Sequence, residues 1–133
     1  MTQDVVLSSS LSWQQIAAVA NGARLALAPE ARDRIVKARE IVDALVERGI
    51  KGYGINTGVG ALCDVIIDRD RQQALSHNIL MSHACGVGDP LGLVETRAIM
   101  AAQINNFAHG ASGVRIEVVD ALLALLNANC IPV

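Results

Sequence analysis

The chain has 133 residues, enough for one domain with its own core. Apolar residues make up 52% but aromatics only 2%, so the core must be assembled from Ala, Leu, Ile and Val, the usual filling of closely packed helices. Eleven basic against thirteen acidic residues give a net charge of -2, with no basic tract to neutralise nucleic-acid phosphates or to coat an anionic membrane.

Taken from the N-terminus, a short strand is expected at Val5 to Leu7. No basic region precedes an apolar stretch in "MTQDVVLSSS", and no apolar run approaches the roughly 20 residues that span a bilayer, so the sequence reads as cytoplasmic. Ser12 and Gln15 have the S-x-x-Q form of a capping box. They open a first helix to about Asn21, with Trp13, Ile16, Ala17 and Ala20 on one face. "RLALAP" reads as extended. Pro29 then opens a second helix, in which Ala31, Ile35, Ala38, Val42 and Leu45 keep helical spacing until Gly49 ends it.

The stretch "GYGINTGVGAL" follows, with the only tyrosine of the chain, Tyr53, among Gly54, Gly58 and Gly60. Its spacing, G-x-G-x-x-x-G, fails the dinucleotide fingerprint, and "RGIK" before it is not a buried strand. Three glycines in seven residues allow positive φ or close approach of a ligand to the backbone, which favours a functional loop. A lone Tyr commonly buries its ring and finds one partner for its hydroxyl. As an acid or base, a phenol that ionises near pH 10 in water needs surroundings that favour phenolate, such as loop amides or a helix N-terminus.

A third helix after Asp68 carries Leu75, Ile79 and Ser82 along one face and stops near "CGVGDP". His83 lies near its end, where it is either a hydrogen-bonded packing residue or a functional one. His77 and His83 are six apart, on different faces of a helix, so no metal site is expected from them. Cys63, Cys85 and Cys130 are odd in number and lack CxxC spacing, and they read as reduced packing residues.

The fourth and fifth helices, about Leu93 to His109 and Val114 to Asn129, are apolar over much of their circumference. Such helices must be enclosed by others, and five modest helices cannot easily do so. The expectation is an all-α front part of a larger protein, or one member of an obligate oligomer. Ala111-Ser112-Gly113 has the letters of a tripeptide that cyclises to an electrophilic methylideneimidazolone in one group of lyases.

"YGINTGVGAL", "LSHNILMSHACGVGDPL" and "INNFAHGASGVRIEVVDALLALLNANCIP" occur in that order. Together they resemble the N-terminal region of the aromatic amino-acid ammonia-lyases and aminomutases that use a methylideneimidazolone group. The resemblance covers about residues 10 to 133 and is strongest from Tyr53 onward. It implies an all-α, fumarase/aspartase-like fold: a helical N-terminal domain over residues 1–110 that carries the catalytic-tyrosine loop, then the truncated start of a long helical bundle over 111–133.

By the same resemblance Tyr53 is the catalytic acid or base on a mobile loop, and Gly54, Asn56, Thr57, Gly58 and Gly60 shape that loop. Ser82-His83 falls where the side chain of the substrate is selected. The pair is similar to the histidine lyases, whereas tyrosine lyases tend to show His-Leu and phenylalanine lyases Phe-Leu. "GASGVR" aligns with the family's G-[FY]-S-G-[IV]-R, so Ala111 to Gly113 is a decoy, and the cyclising Ala-Ser-Gly is expected beyond Val133 together with the arginine for the substrate carboxylate.

The implied activity of the whole protein is conversion of L-histidine to trans-urocanate and ammonia, in a homo-oligomer, a tetramer, that acts on a small amino acid. This segment alone would be inactive. Val59 stands where Phe is usual, His109 where Arg or Gln is common, and Ala111 where an aromatic is common. Tyrosine lyases can also carry Ala at the last position. The alternatives are a tyrosine or phenylalanine ammonia-lyase or aminomutase segment, and a non-catalytic helical assembly module.

Overall fold

A computed structural model describes residues 4–132. The order of elements is β1 (Val5–Leu7), α1 (Trp13–Ala20), β2 (Leu25–Leu27), α2 (Pro29–Glu47), α3 (Gln72–His83), α4 (Leu93–Ala108) and α5 (Ile116–Asn127). Short 3-10 turns lie at Gly60–Leu62 and Arg69–Arg71. The fold class is all-α, with one small two-stranded sheet. The chain forms two compact units, one from the residues up to Glu40 together with those from Pro90 onward, the other from Ile41–Asp89. Val133, the end of the expected bundle segment, lies outside the described residues.

In the first unit β1 and β2 pair in parallel, Val5 with Leu25 and Leu7 with Leu27, and α1 supplies the crossover that parallel strands require. Alternation turns Val5 and Leu7 into the core and Val6 to solvent. Asn127 completes the outer side of β2: its amide accepts from Leu25 N at 3.0 Å and donates to Leu25 O at 2.8 Å, as a neighbouring strand would. Asn105 Oδ1 likewise accepts from Leu11 N at 2.7 Å.

Leu7, Leu25, Ile35, Ile104 and Leu126 are fully buried and, with Val19 and Val119, form the centre of the core. Each large aliphatic side chain so buried contributes about 1.5–3 kcal/mol. The capping box at α1 forms, with Ser12 Oγ accepting from Gln15 N and Gln15 Oε1 accepting from Ser12 N. The buried face of that helix differs from the expected one. Trp13 is 76% exposed and Ala17 is exposed, while Val19 and Ala20 are buried and Ile16 half-buried. A helix this short buries only the stripe that meets α4 and the sheet, and that stripe runs toward its C-terminal end.

Arg97, in the middle of the apolar α4, is 2% exposed. Its Nε donates to Val19 O at 2.9 Å, Nη2 to Ala23 O at 3.0 Å, and Nη1 to Leu126 O at 2.6 Å and to Asn129 Oδ1 at 2.5 Å. Both α1 and α5 end in the same hydrogen-bonded reversal around a left-handed residue. Gly22 (φ 108) serves α1, through Ala23 N to Ala18 O, and Asn129 (φ 55) serves α5, through Cys130 N to Leu125 O. The guanidinium thus sits at the negative ends of two helix dipoles, worth about half an elementary charge each, so the cation is balanced without a carboxylate.

The link from α4 to α5 is held against α2. Gly110 has φ 71, and a Cβ there would lie 2.8 Å from Arg34 O, so only glycine fits. Arg34 Nε donates to Ala108 O at 2.9 Å, and its Nη2 donates to Ser8 O. Arg32 and Asp120 form a two-point ion pair at 2.9 and 2.6 Å on the surface. The hydrogen bonds from Arg32 hold the Asp120 carboxyl below its usual range, against the opposing effect of partial burial.

The second unit begins with the last turns of α2. Gly49 (φ 63) reverses the chain, with Gly49 N donating to Val46 O and Ile50 N to Leu45 O. α3 at its far end buries no residue fully. Leu75 and Ile79 are half-buried, whereas Leu80, Met81 and Ser82 are exposed. Cys63 is half-buried, but Cys85 and Cys130 are exposed free thiols, which corrects the expectation that all three are packing residues. Among the described residues no helix is long and apolar enough to cross a membrane.

Candidate functional site

The loop after α2 is fixed by two buried polar side chains. Asn56 Oδ1 accepts from Gly52 N at 2.8 Å, and its Nδ2 donates to Ile50 O at 2.9 Å. Thr57 Oγ1 accepts from Gly54 N at 3.2 Å and donates to Gly58 O at 2.9 Å. A narrow antiparallel bridge, Thr57 with Ile66, adds Gly58 N to Val65 O at 3.2 Å and Ile67 N to Asn56 O at 2.9 Å. Lys51 and Asp64 form an ion pair within the same unit.

Between these anchors, residues 53–56 form a turn that lifts Tyr53 to 69% exposure. Gly54 (φ 67) and Gly60 (φ 59) take the left-handed conformation, and Gly58 is buried without it. The phenol therefore projects from a short turn whose base is closed by side-chain hydrogen bonds. Among the described residues its hydroxyl makes no hydrogen bond.

Ser82 and His83 end α3, in the same unit as Tyr53, and both are exposed. Ser82 Oγ donates to Ile79 O at 3.0 Å. His83 Nδ1 lies 2.9 Å from Ser82 Oγ and 2.9 Å from Ile79 O. No hydrogen bond joins Tyr53 to either residue. Among the described residues no group of three metal-ligating side chains gathers.

Ala111-Ser112-Gly113 lies in the connection between α4 and α5, in the first unit. Ala111 and Ser112 are exposed, and Gly113 is buried with φ 65, its carbonyl 3.5 Å from Arg39 Nη1. An electrophilic ring must be enclosed from water. This exposed, helix-joining tripeptide does not fit that requirement.

Sequence reasoning missed Arg97, Asn105 and Asn127. The available signal was a single cation within "VETRAIMAAQI" and amides inside otherwise apolar helices, where polar groups must find partners.

The aromatic amino acid lyase family model matches residues 11–133, and the chain belongs to that family. Among individual relatives, the histidine ammonia-lyase of Anaeromyxobacter sp. (strain K) is 47% identical over 125 residues, 93% of this chain and 25% of that protein. The crystal structure of histidine ammonia-lyase from Trypanosoma cruzi superposes with a TM-score of 0.85 at 33% identity, over 95% of this chain and 25% of that one. Tyrosine aminomutase from Streptomyces globisporus superposes with a TM-score of 0.88 at 31% identity, over 94% and 24%. The chain thus spans about a quarter of the length of the relatives it matches.

Proposed function

We propose that residues 1–133 are the N-terminal segment of an enzyme that eliminates ammonia from L-histidine to give trans-urocanate. Residues 1–110 are its N-terminal helical domain, and 111–133 open its central bundle. The observation that carries the role of Tyr53 is its exposure on a turn whose base is tied down by buried Asn56 and Thr57. A proton-transferring group must reach substrate while its backbone stays placed, and this turn meets both needs. The 47% identity to a histidine ammonia-lyase supports the reaction class and the histidine assignment.

In this reading Tyr53 Oη removes or returns the proton that substrate exchanges during elimination. Gly54, Asn56, Thr57, Gly58 and Gly60 keep the turn in shape, and His83 with Ser82 reads the side chain. The β-proton of an amino acid is weakly acidic and ammonia is a poor leaving group. The methylideneimidazolone, formed from an Ala-Ser-Gly beyond Val133, supplies the electrophile that offsets both. The complete enzyme is a cytoplasmic homo-oligomer, a tetramer, whose further helices cover the exposed apolar residues Ile99, Val118 and Leu125.

The likeness to tyrosine aminomutase, at a TM-score of 0.88, favours one second reading, a lyase or aminomutase for tyrosine. A substrate panel separates them. The complete enzyme is expected to produce urocanate from L-histidine with kcat/KM at least about 10²-fold above that for L-tyrosine or L-phenylalanine. Preferential formation of coumarate, cinnamate or a β-amino acid would replace the histidine assignment.

A further inference from the structure

The last turn of α3 brings three atoms within mutual hydrogen-bond distance. Ser82 Oγ is 3.0 Å from Ile79 O, and His83 Nδ1 is 2.9 Å from each of them. The carbonyl has no proton and the hydroxyl has one, so counting protons decides the tautomer of His83. With a proton on Nδ1, that N–H is shared between Ile79 O and Ser82 Oγ, and the serine hydroxyl donates to Ile79 O. All three contacts are then attractive. With Nδ1 bare, its lone pair faces the carbonyl lone pairs at 2.9 Å, and the single hydroxyl proton can serve only one of the two acceptors.

We infer that neutral His83 carries its proton on Nδ1 and presents Nε2 as a hydrogen-bond acceptor, so that the amino acid it reads must bring a ring donor, an imidazole N–H or a phenol O–H. The inference rests on the proposed role of His83 as the side-chain reader. It narrows the substrate class to side chains with a donor and leaves a plain phenyl ring unread, since an acceptor that a bound ring covers without pairing weakens binding. Ser82 takes part in that reading as a positioning residue: its hydroxyl is engaged with Ile79 O and fixes the ring by accepting the second branch of the Nδ1 hydrogen bond. The serine at the end of an exposed helix then has a task, which is to set which nitrogen faces outward.

The test uses the complete enzyme. His83→Gln sets an amide oxygen near the place of Nε2, whereas His83→Asn sets its amide near Nδ1. The Gln variant is expected to keep kcat/KM for histidine within about 10-fold of the parent, and the Asn and Leu variants to lose about 10²-fold or more. Ser82→Ala should raise KM for histidine by about 3–10-fold with little change in kcat, and Ser82→Thr, which keeps the hydroxyl, should restore it. Inhibition by phenylalanine, which has no ring donor, should be unchanged by Ser82→Ala. Equal losses in the Gln and Asn variants, or weakening of histidine and phenylalanine alike by Ser82→Ala, would overturn the inference and leave His83 as reader. Unchanged histidine kinetics in His83→Leu would remove His83 from the site and overturn both.

Discussion

Replacing Tyr53 by Phe in the complete enzyme is expected to lower kcat for histidine by about 10²–10⁴-fold, the usual worth of a positioned acid or base. The change removes one oxygen from a side chain that is 69% exposed, so no packing is lost and stability should stay within about 0.5 kcal/mol. KM should move little, because in the proposed role the phenol acts on a proton in flight and is not needed to hold the ground state. Thermal denaturation beside steady-state kinetics checks both halves. Loss of activity together with loss of stability would point to a structural tyrosine.

Asn56→Ala and Thr57→Ala differ from this. Each removes hydrogen bonds at the base of the turn, to Gly52 N and Ile50 O for Asn56 and to Gly54 N and Gly58 O for Thr57. Their effect on rate would act through the placement of Tyr53. The chemical group itself would still be present.

The largest effect on stability is expected at Arg97. In Arg97→Met the four donated hydrogen bonds disappear from a site that is 2% exposed, and Ala23 O, on a buried residue, is left without its guanidinium partner, whereas the exposed Asn129 can turn to water. One buried acceptor left unsatisfied costs about 1–3 kcal/mol, and two helix dipoles lose their shared cation at about 0.3–1 kcal/mol each, so a loss of roughly 2–5 kcal/mol follows. Arg97→Lys keeps the charge, but one ammonium cannot span acceptors on α1, α5 and the segments after them, so it should recover only part of the loss. Thermal inactivation of the complete enzyme, compared for the three side chains, measures this. A loss below about 1 kcal/mol in Arg97→Met would show that the carbonyls find water or other partners at little cost.

The ends of the helices were legible because their signals are local. Ser12 with Gln15, Pro29 and Gly49 each act within a few residues, through capping, a preset φ and a left-handed reversal. Buried faces were less so. Trp13 carries the strongest hydrophobic label in α1 and yet points to solvent, because what α1 buries is set by α4 and the sheet. Arg97, Asn105 and Asn127 act on backbone groups far away in sequence, and no spacing rule reports a partner 74 or 102 residues distant.

At the site, the glycine pattern marked the loop, and the structure assigns different tasks within it. Gly54 and Gly60 supply left-handed backbone, whereas Gly58 is enclosed. The hydrogen-bond roles of Asn56 and Thr57 are set by how the loop backbone folds around them, and the three-atom contact at Ile79, Ser82 and His83 by the last turn of α3. That contact is formed by a carbonyl, which every residue has and which leaves no mark in a sequence.

The most direct test of the account is histidine-dependent urocanate formation, measured in one assay for the complete enzyme and for the polypeptide of residues 1–133. The account predicts urocanate from the complete enzyme and none from the shorter polypeptide, which holds Tyr53 and His83 without an enclosed electrophile. Urocanate from the 133-residue polypeptide, or none from the complete enzyme, would contradict it.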